Sequence, residues 1–231
     1  MSRRVRVFEN LEELSRAALE RLQGQLRSTS GPFRLSLAGG GTPRELYRMM
    51  AGADLPWDRL HLYWGDERYV PHDHPDSNYR MVCEALLDFV AVSPDRIHPW
   101  PYLHTPEDSA QAYDRLLQEA RMDLVILGMG DDGHTASLFP GTSALEVRDR
   151  RAVAHYVEKL KTFRLTTTYP VINEAPLVMF LISGASKAPA LEQVLTGRDL
   201  PSARVENVGE TLFLVDRPAA ARLPAELLPP A

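Results

Sequence analysis

The chain alternates between short apolar runs and stretches with apolar residues at helical spacing. Apolar or alternating runs predict strands over residues 4–8, 33–38, 60–64, 124–127, 152–157, 177–183 and 211–215. Helical spacing predicts helices over residues 11–26, 43–50, 78–89, 106–120 and 187–195. Because strands and helices alternate, the pattern predicts an α/β fold with a mostly parallel central sheet and helices on both faces. Without repeats or a long Gly/Ser linker, we expect one domain over residues 1–231, with residues 223–231 as a loosely held tail.

Composition and charge narrow the expected partners and compartment. The 231 residues are 44% hydrophobic and 25% charged, as in ordinary globular proteins, and the net charge of −5 offers no basic field for nucleic acid. The apolar run at residues 177–182 is too short to span a bilayer, and the N-terminal residues lack the apolar stretch of a signal peptide. The single cysteine, Cys83, excludes an intrachain disulfide. We therefore expect a cytoplasmic protein, a monomer or weak homo-oligomer, with no nucleic-acid or membrane partner.

The segment after the predicted strand 124–127 carries the densest candidate chemistry. Three glycines and His134 follow the strand, at the kind of loop where open α/β sheets bind ligands, and histidine exchanges protons near neutral pH. The spacing Gly-x-Gly-x-x-Gly also fits a dinucleotide-binding turn, and a purely structural turn is the other alternative. Asp131 and Asp132 would repel a pyrophosphate, and Pro140 ends any helix too soon for a dinucleotide-binding unit. The segment therefore favours a catalytic loop.

A second glycine-rich turn, residues 39–41, follows the strand 33–38. Thr42 is the predicted N-cap of the next helix, with Pro43 as its first residue and Glu45 completing a capping box. Free backbone N–H groups and the helix dipole would attract an anion here, which makes Gly40, Gly41 and Thr42 candidate phosphate ligands. A well-capped helix without a ligand is the simpler alternative.

Charged residues follow the strand 60–64 as well. Asp66 and Arg68 lie in one short predicted turn, where the carboxylate could orient a water or a hydroxyl group and the guanidinium could bind a carbonyl or phosphate oxygen. A solvent-exposed charged turn is an equally good interpretation. The nearby residues 72–74, His-Asp-His, lack further ligands at metal-binding spacing, so we predict no metal site.

Two basic residues late in the chain are weaker candidates. Lys187, one of three lysines, follows the strand 177–183, where a compact charge suits a phosphate, and Arg164 opens a short polar stretch. Taken alone, each residue is better explained as a solvated surface charge.

Taken together, these segments resemble the 6-phosphogluconolactonase family. The matching stretches are residues 38–43, 64–71, 73–78, 128–140, 164–173 and 183–188, in the family's order, and the stretch Gly-Met-Gly-Asp-Asp-Gly-His-Thr-Ala-Ser-Leu-Phe-Pro is highly specific to it. The resemblance implies a Rossmann-like three-layer α/β/α fold related to glucosamine-6-phosphate deaminase. It also implies hydrolysis of 6-phosphoglucono-δ-lactone to 6-phosphogluconate in the oxidative pentose phosphate pathway, without a cofactor.

The same resemblance implies roles for the candidate residues. His134 would be the general base and acid, with Asp132 or Asp66 orienting it or the attacking water. Arg68 or backbone N–H groups would stabilise the oxyanion. The phosphate of the sugar-phosphate lactone would be held by Gly40, Gly41, Thr42, Arg164 and Lys187.

Two other functions are compatible with parts of this sequence. An amino-sugar phosphate deaminase also resembles the chain, but there Asp-Gly-His is followed by Ile-Ala-Phe-Asn-Glu-Pro, whereas His134 is followed by Thr-Ala-Ser-Leu-Phe-Pro. The deaminases also tend to have an aromatic residue where this chain has Arg68. A sugar-phosphate sensor would need a DNA-binding module, and we expect none because the first predicted strand begins at residue 4 and the net charge is negative.

Overall fold

A parallel sheet of seven strands forms the centre of the fold in a computed structural model that describes residues 2–227. The strands are β1 (Ser2–Phe8), β2 (Phe33–Leu37), β3 (Leu60–Trp64), β4 (Asp66–Arg68), β5 (Ile97–His98), β6 (Leu124–Leu127), β7 (Ala152–Val157), β8 (Thr162–Thr167), β9 (Leu177–Ile182) and β10 (Glu210–Asp216). The helices are α1 (Leu11–Ser28), α2 (Gly41–Ala51), α3 (Asn78–Ala85), α4 (Pro106–Leu117), α5 (Tyr169–Asn173), α6 (Ala188–Leu195) and α7 (Arg217–Ala220).

The central sheet has the strand order β1-β10-β9-β6-β2-β3-β5, and every neighbouring pair is parallel. Every residue of β6 and β9 is buried, because these inner strands are covered on both faces. Helices flank the sheet, which confirms the predicted α/β fold with a mostly parallel sheet. Since all strands point the same way, the loops that follow β9, β6, β2 and β3 meet at one edge of the sheet.

A second, small sheet has the order β4-β8-β7 and is antiparallel. Its first strand, β4, begins one residue after β3 ends, so the chain passes from one sheet to the other through Gly65. The strand predicted over residues 152–157 exists, but it belongs to this sheet. The patterns did not predict β4, β5 or β8, because the first two are very short and β8 carries polar residues at most positions.

The ends of several elements differ from the predictions. The helix predicted over residues 78–89 ends at Ala85, because Leu86 leaves the helical conformation with φ −139°, and a 3₁₀ turn follows. The helix predicted over residues 106–120 ends at Leu117. In the predicted tail, Leu223 is buried and Ala225–Leu227 form a 3₁₀ turn, whereas residues 228–231 lie outside the described part of the chain. No helix within residues 2–227 is long and apolar enough to cross a membrane.

Candidate active site

The loops at the carboxyl edge of the central sheet surround a cavity of about 280 Å³. The loops after β2, β3, β6 and β9 all contribute to its lining. The predicted site residues that line it are Gly40, Gly41, Thr42, Asp66, Arg68, His134 and Lys187. Asp132 and Arg164 are not among its lining residues, but each is next to one that is: Asp132 contacts His134, and Arg164 lies opposite Arg68 in the small sheet. The structure therefore brings the sequence candidates together at one place.

His134 is held by Asp132. The imidazole Nδ1 lies 2.5 Å from Asp132 Oδ1, and the same oxygen accepts from the backbone N–H of His134 at 3.2 Å. A carboxylate at Nδ1 favours the tautomer with its proton on that nitrogen, which leaves a lone pair on Nε2. The ring also stacks on Phe139, with 4.1 Å between ring centroids. His134 is thus fixed at one nitrogen and one face, with the second nitrogen available as a base.

This arrangement needs a glycine at position 130. The backbone N–H of Gly130 donates to the carbonyl of His134 at 2.8 Å, so the loop folds back on itself. A Cβ at position 130 would lie 2.8 Å from Asp132 Oδ1 and would overlap the His134 ring. The glycine spacing noted in the sequence therefore makes room for the His134–Asp132 pair, and the segment after Gly130 forms turns instead of a helix.

Asp132 also binds a residue that the sequence analysis missed. Lys159, in the loop between β7 and β8, places its Nζ 2.8 Å from Asp132 Oδ2. Burial alone would raise the pKa of the Asp132 carboxyl, but the hydrogen bonds from Lys159 and His134 outweigh burial and lower this pKa to about 2. The hydrogen bond to Asp132 raises the pKa of Lys159 in turn. Asp132 is therefore an ionised carboxylate with one oxygen on each partner.

Asp66 occupies a different position in the cavity. Its Oδ2 accepts a hydrogen bond of 2.6 Å from Ser137 Oγ, and its backbone carbonyl accepts one of 2.9 Å from Asn78 Nδ2. Within residues 2–227, the Asp66 side chain makes no hydrogen bond to His134. Of the two aspartates considered from the sequence, Asp132 contacts the imidazole, while Asp66 is a buried carboxylate that lines the cavity. Ser137 and Asn78 were not singled out from the sequence, although both lie within the family-like segments.

The neighbouring Glu67 has a structural task. Its buried carboxylate accepts hydrogen bonds from the backbone N–H groups of Arg68, Asn78 and Tyr79 and from the hydroxyl of Ser77. Burial raises the pKa of Glu67, and these backbone N–H groups oppose the rise. The side chain thus ties the first turn of α3 to β4, which carries Asp66 and Arg68.

The helix α2, which follows the glycine turn after β2, begins at a different residue from the one predicted. The helix begins at Gly41 and its N-cap is Gly40, whose φ of 100° suits glycine, and no side chain caps it. The predicted capping box is wrong: Thr42 and Pro43 lie inside the first turn, and Glu45 pairs with Arg48 at 3.5 Å. Because the helix starts earlier, the N–H groups of Gly41 and Thr42 lack intrahelical acceptors at the cavity wall. This is the geometry of an anion-binding helix terminus.

Three basic side chains are grouped around the same region. Lys187 lines the cavity from the 3₁₀ turn Ala185–Lys187, which directly precedes α6. Arg68 lines the cavity and donates to the backbone carbonyl of Asp76. Arg164 is opposite Arg68 in the β4–β8 pairing, and burial together with the charge of Arg68 lowers the pKa of Arg164. The cavity therefore combines positive charge with the amino end of a helix, although the chain as a whole is acidic.

His72 and His74, the two histidines of the His-Asp-His stretch, contact backbone groups. His72 Nε2 lies 2.7 Å from the backbone carbonyl of Trp100, and His74 Nδ1 accepts from the backbone N–H of Asp76 at 3.1 Å. Across the part of the chain that the structure describes, no three His, Cys, Asp or Glu side chains are grouped so that they could hold a metal ion.

Comparisons with known proteins show which family the chain belongs to. A family model for glucosamine-6-phosphate isomerases/6-phosphogluconolactonase matches residues 9–214. A 6-phosphogluconolactonase of Nostoc sp. (strain PCC 7120 / SAG 25.82 / UTEX 2576) is 46% identical over 84% of this chain and 85% of its own length. One from Mycobacterium leprae (strain TN) is 32% identical over 97% of this chain and 100% of its own. The solved 6-phosphogluconolactonase from Trypanosoma brucei superimposes with a TM-score of 0.87 at 28% identity, covering 96% of this chain and 99% of that one. The chain therefore belongs to the glucosamine-6-phosphate isomerase/6-phosphogluconolactonase family.

Proposed function

We propose that the protein is a 6-phosphogluconolactonase that hydrolyses 6-phosphoglucono-δ-lactone to 6-phosphogluconate, a step of the oxidative pentose phosphate pathway. The names of the relatives, at up to 46% identity among those described above, support the substrate. The observation that carries the mechanism is the His134–Asp132 pair, because His134 lines the same cavity as the amino end of α2 and Lys187. The same cavity thus combines a base with groups that can bind an anion, as a phosphorylated lactone requires.

In the proposed reaction, His134 Nε2 takes a proton from a water molecule as the water oxygen attacks the lactone carbonyl. Asp132 stabilises the imidazolium that forms, because its carboxylate stays ionised at 2.5 Å from Nδ1. The carbonyl oxygen becomes an oxyanion, and the guanidinium of Arg68, which lines the cavity, is its proposed cationic partner. When the ring C–O bond breaks, the imidazolium returns its proton to the leaving ring oxygen, which becomes a hydroxyl group. The reaction consumes only water, so no cofactor is needed.

The phosphate is proposed to bind at the start of α2. The N–H groups of Gly41 and Thr42, the backbone of Gly40 and the ammonium of Lys187 all border the cavity there. Arg164, which pairs with Arg68 across the small sheet, adds positive charge. Fixing the phosphate would place the lactone carbonyl in a constant position relative to His134, so that binding energy at a remote group supports the chemical step.

The direct test is a lactonase assay with freshly prepared 6-phosphoglucono-δ-lactone. Acid release is followed in a pH-stat, and spontaneous hydrolysis is subtracted. We expect His134→Ala to lower kcat by about 10²-fold or more, the usual contribution of a general base. Asp131→Ala is the matched control, because Asp131 is an exposed neighbour in the same loop, and it should retain wild-type turnover.

The same assay can contradict the proposal in two ways. Wild-type turnover in His134→Ala would refute the role of His134. An inactive wild-type enzyme that released ammonia from glucosamine-6-phosphate would refute the proposed substrate.

A further inference from the structure

The loop between β7 and β8 reaches the loop that carries His134. Glu158–Leu160 form a 3₁₀ turn and Lys161 follows in the left-handed conformation with φ 50°, so the chain reverses within a few residues. From this turn, Lys159 places its ammonium 2.8 Å from Asp132 Oδ2. The other carboxylate oxygen of Asp132 lies 2.5 Å from His134 Nδ1. One carboxylate therefore joins an ammonium from the small sheet to the imidazole of the candidate active site.

Other titratable groups lie beside His134, Asp132 and Lys159 in two cavities. In the cavity, His134 shares the lining with Asp66, Arg68 and Lys187. On the outer side, Asp132 and Lys159 line a second cavity of about 830 Å³ whose other titratable lining residues are Glu107, His155, Tyr156 and Glu158. Asp131, next in the chain, adds its charge to the field at Lys159. Within the described residues, His134 and Lys159 are the only basic side chains that contact the Asp132 carboxylate, and of the two only the Lys159 ammonium is charged when His134 is the neutral base.

We propose that Lys159 is a positioning residue of the active site: its ammonium anchors the Asp132 carboxylate and limits how strongly that carboxylate favours the protonated form of His134. This inference rests on the proposed function, in which neutral His134 is the base. A carboxylate without Lys159 would pull the proton onto the imidazole more strongly and would be free to turn about its side chain. With Lys159 in place, the negative charge is shared and Oδ1 stays directed at Nδ1.

The direction of the effect follows from charge. Removing the ammonium makes the surroundings of His134 more negative, so the pKa of the imidazole rises and less neutral base exists at a given pH below that pKa. A charge about 6 Å away in a partly exposed site shifts a pKa by about half a unit. The value for a partly exposed charge applies to Lys159, because its side chain is 60% exposed. When the Lys159 ammonium is removed, the acidic limb of the plot of kcat/KM against pH should therefore move to higher pH by about half a unit.

The chain offers a matched control for this test. Lys159→Met removes the ammonium while keeping the length of the side chain, and Lys159→Arg restores a positive charge. Lys161→Met removes the same charge from the same turn, but Lys161 is exposed and makes no ion pair within residues 2–227. Both methionine variants change the net charge equally, so a difference between them reports the contact with Asp132 and not the overall field.

Two readouts are combined. The pH dependence of kcat/KM is measured for wild type, Lys159→Met, Lys159→Arg and Lys161→Met, and the pKa of His134 is measured by NMR titration of its ring protons, assigned by their loss in His134→Ala. We expect an upward shift in Lys159→Met in both readouts, recovery in Lys159→Arg and a wild-type curve in Lys161→Met. Superimposable curves for wild type and Lys159→Met, or equal shifts in the two methionine variants, would overturn the inference. The NMR titration needs no substrate, so it decides the role of Lys159 even if the enzyme proved to act on another compound.

Discussion

Gly130→Ala should disable the enzyme with little change in its surface or charge. The added Cβ would lie 2.8 Å from Asp132 Oδ1 and closer still to the His134 ring, whereas ordinary contacts begin at 3.4 Å. The imidazole must therefore retreat by about 1 Å, and a displacement of that size in a catalytic group costs about 10²-fold in rate. This corresponds to about 2.7 kcal/mol of transition-state stabilisation. The retreat would also lengthen the 2.5 Å contact between Nδ1 and Asp132.

The measurement is kcat in the pH-stat assay, together with circular dichroism and thermal unfolding to show that Gly130→Ala still folds. Gly24→Ala is the control, because Gly24 lies in α1, is not among the residues that line the cavity, and a Cβ there has no neighbouring atom within 4 Å. Its kcat should stay within about threefold of wild type, an activation difference under 1 kcal/mol. A folded Gly130→Ala enzyme with wild-type kcat would refute the argument that this glycine makes room for His134.

Two further predictions concern the charges around the cavity. The pKa of Asp132 is lowered from 3.8 to about 2, so its ionised form stabilises the fold above pH 4 and this contribution is lost as the pH falls from about 4 towards 2. The difference in unfolding free energy between wild type and Asp132→Asn, measured by urea denaturation, should accordingly narrow between pH 5 and pH 3, and a constant difference would contradict the ionic contact. Lys187→Ala should raise KM for the phosphorylated lactone by about 10-fold or more, through the loss of one charge-assisted contact, and should lower kcat by a smaller factor because the carbonyl is positioned less well. Glucono-δ-lactone, which lacks the phosphate, should be hydrolysed equally by both enzymes, and an equal loss on both substrates would exclude a phosphate contact.

The fold could be predicted, and the candidate residues could be placed in loops after its strands, because these signals are local. Buried strands such as β6 and β9 are short runs of apolar residues, and each is followed directly by a loop with glycine and polar residues. Parallel strands then place those loops at one edge. His134 was a candidate from its loop alone, whereas Lys187 was added to the same site through the resemblance to the 6-phosphogluconolactonase family.

The features that the sequence did not predict correctly depend on contacts between distant residues or on competing local conformations. The Thr-Pro-Arg-Glu sequence suggested Thr42 as the N-cap, but Gly40 can adopt φ 100° and lets the helix begin earlier. Lys159 lies 27 residues from Asp132 and meets it through the β7–β8 turn, which no apolar pattern marked. The choice between Asp132 and Asp66 likewise depended on side-chain distances, since both follow buried strands.

The small antiparallel sheet limits the changes of length that residues 152–167 can accept. Successive residues of β8 face opposite sides, so inserting or deleting one residue within it would turn Arg164 away from Arg68. A change of length in the turn at residues 158–161 would likewise alter the reach of Lys159 towards Asp132. A single substitution changes one side chain, but an insertion or deletion in this hairpin would displace both Arg164 and Lys159 from their present neighbours. We therefore expect the spacing from residue 152 to residue 167 to be as strict a requirement for function as the identity of the residues it carries.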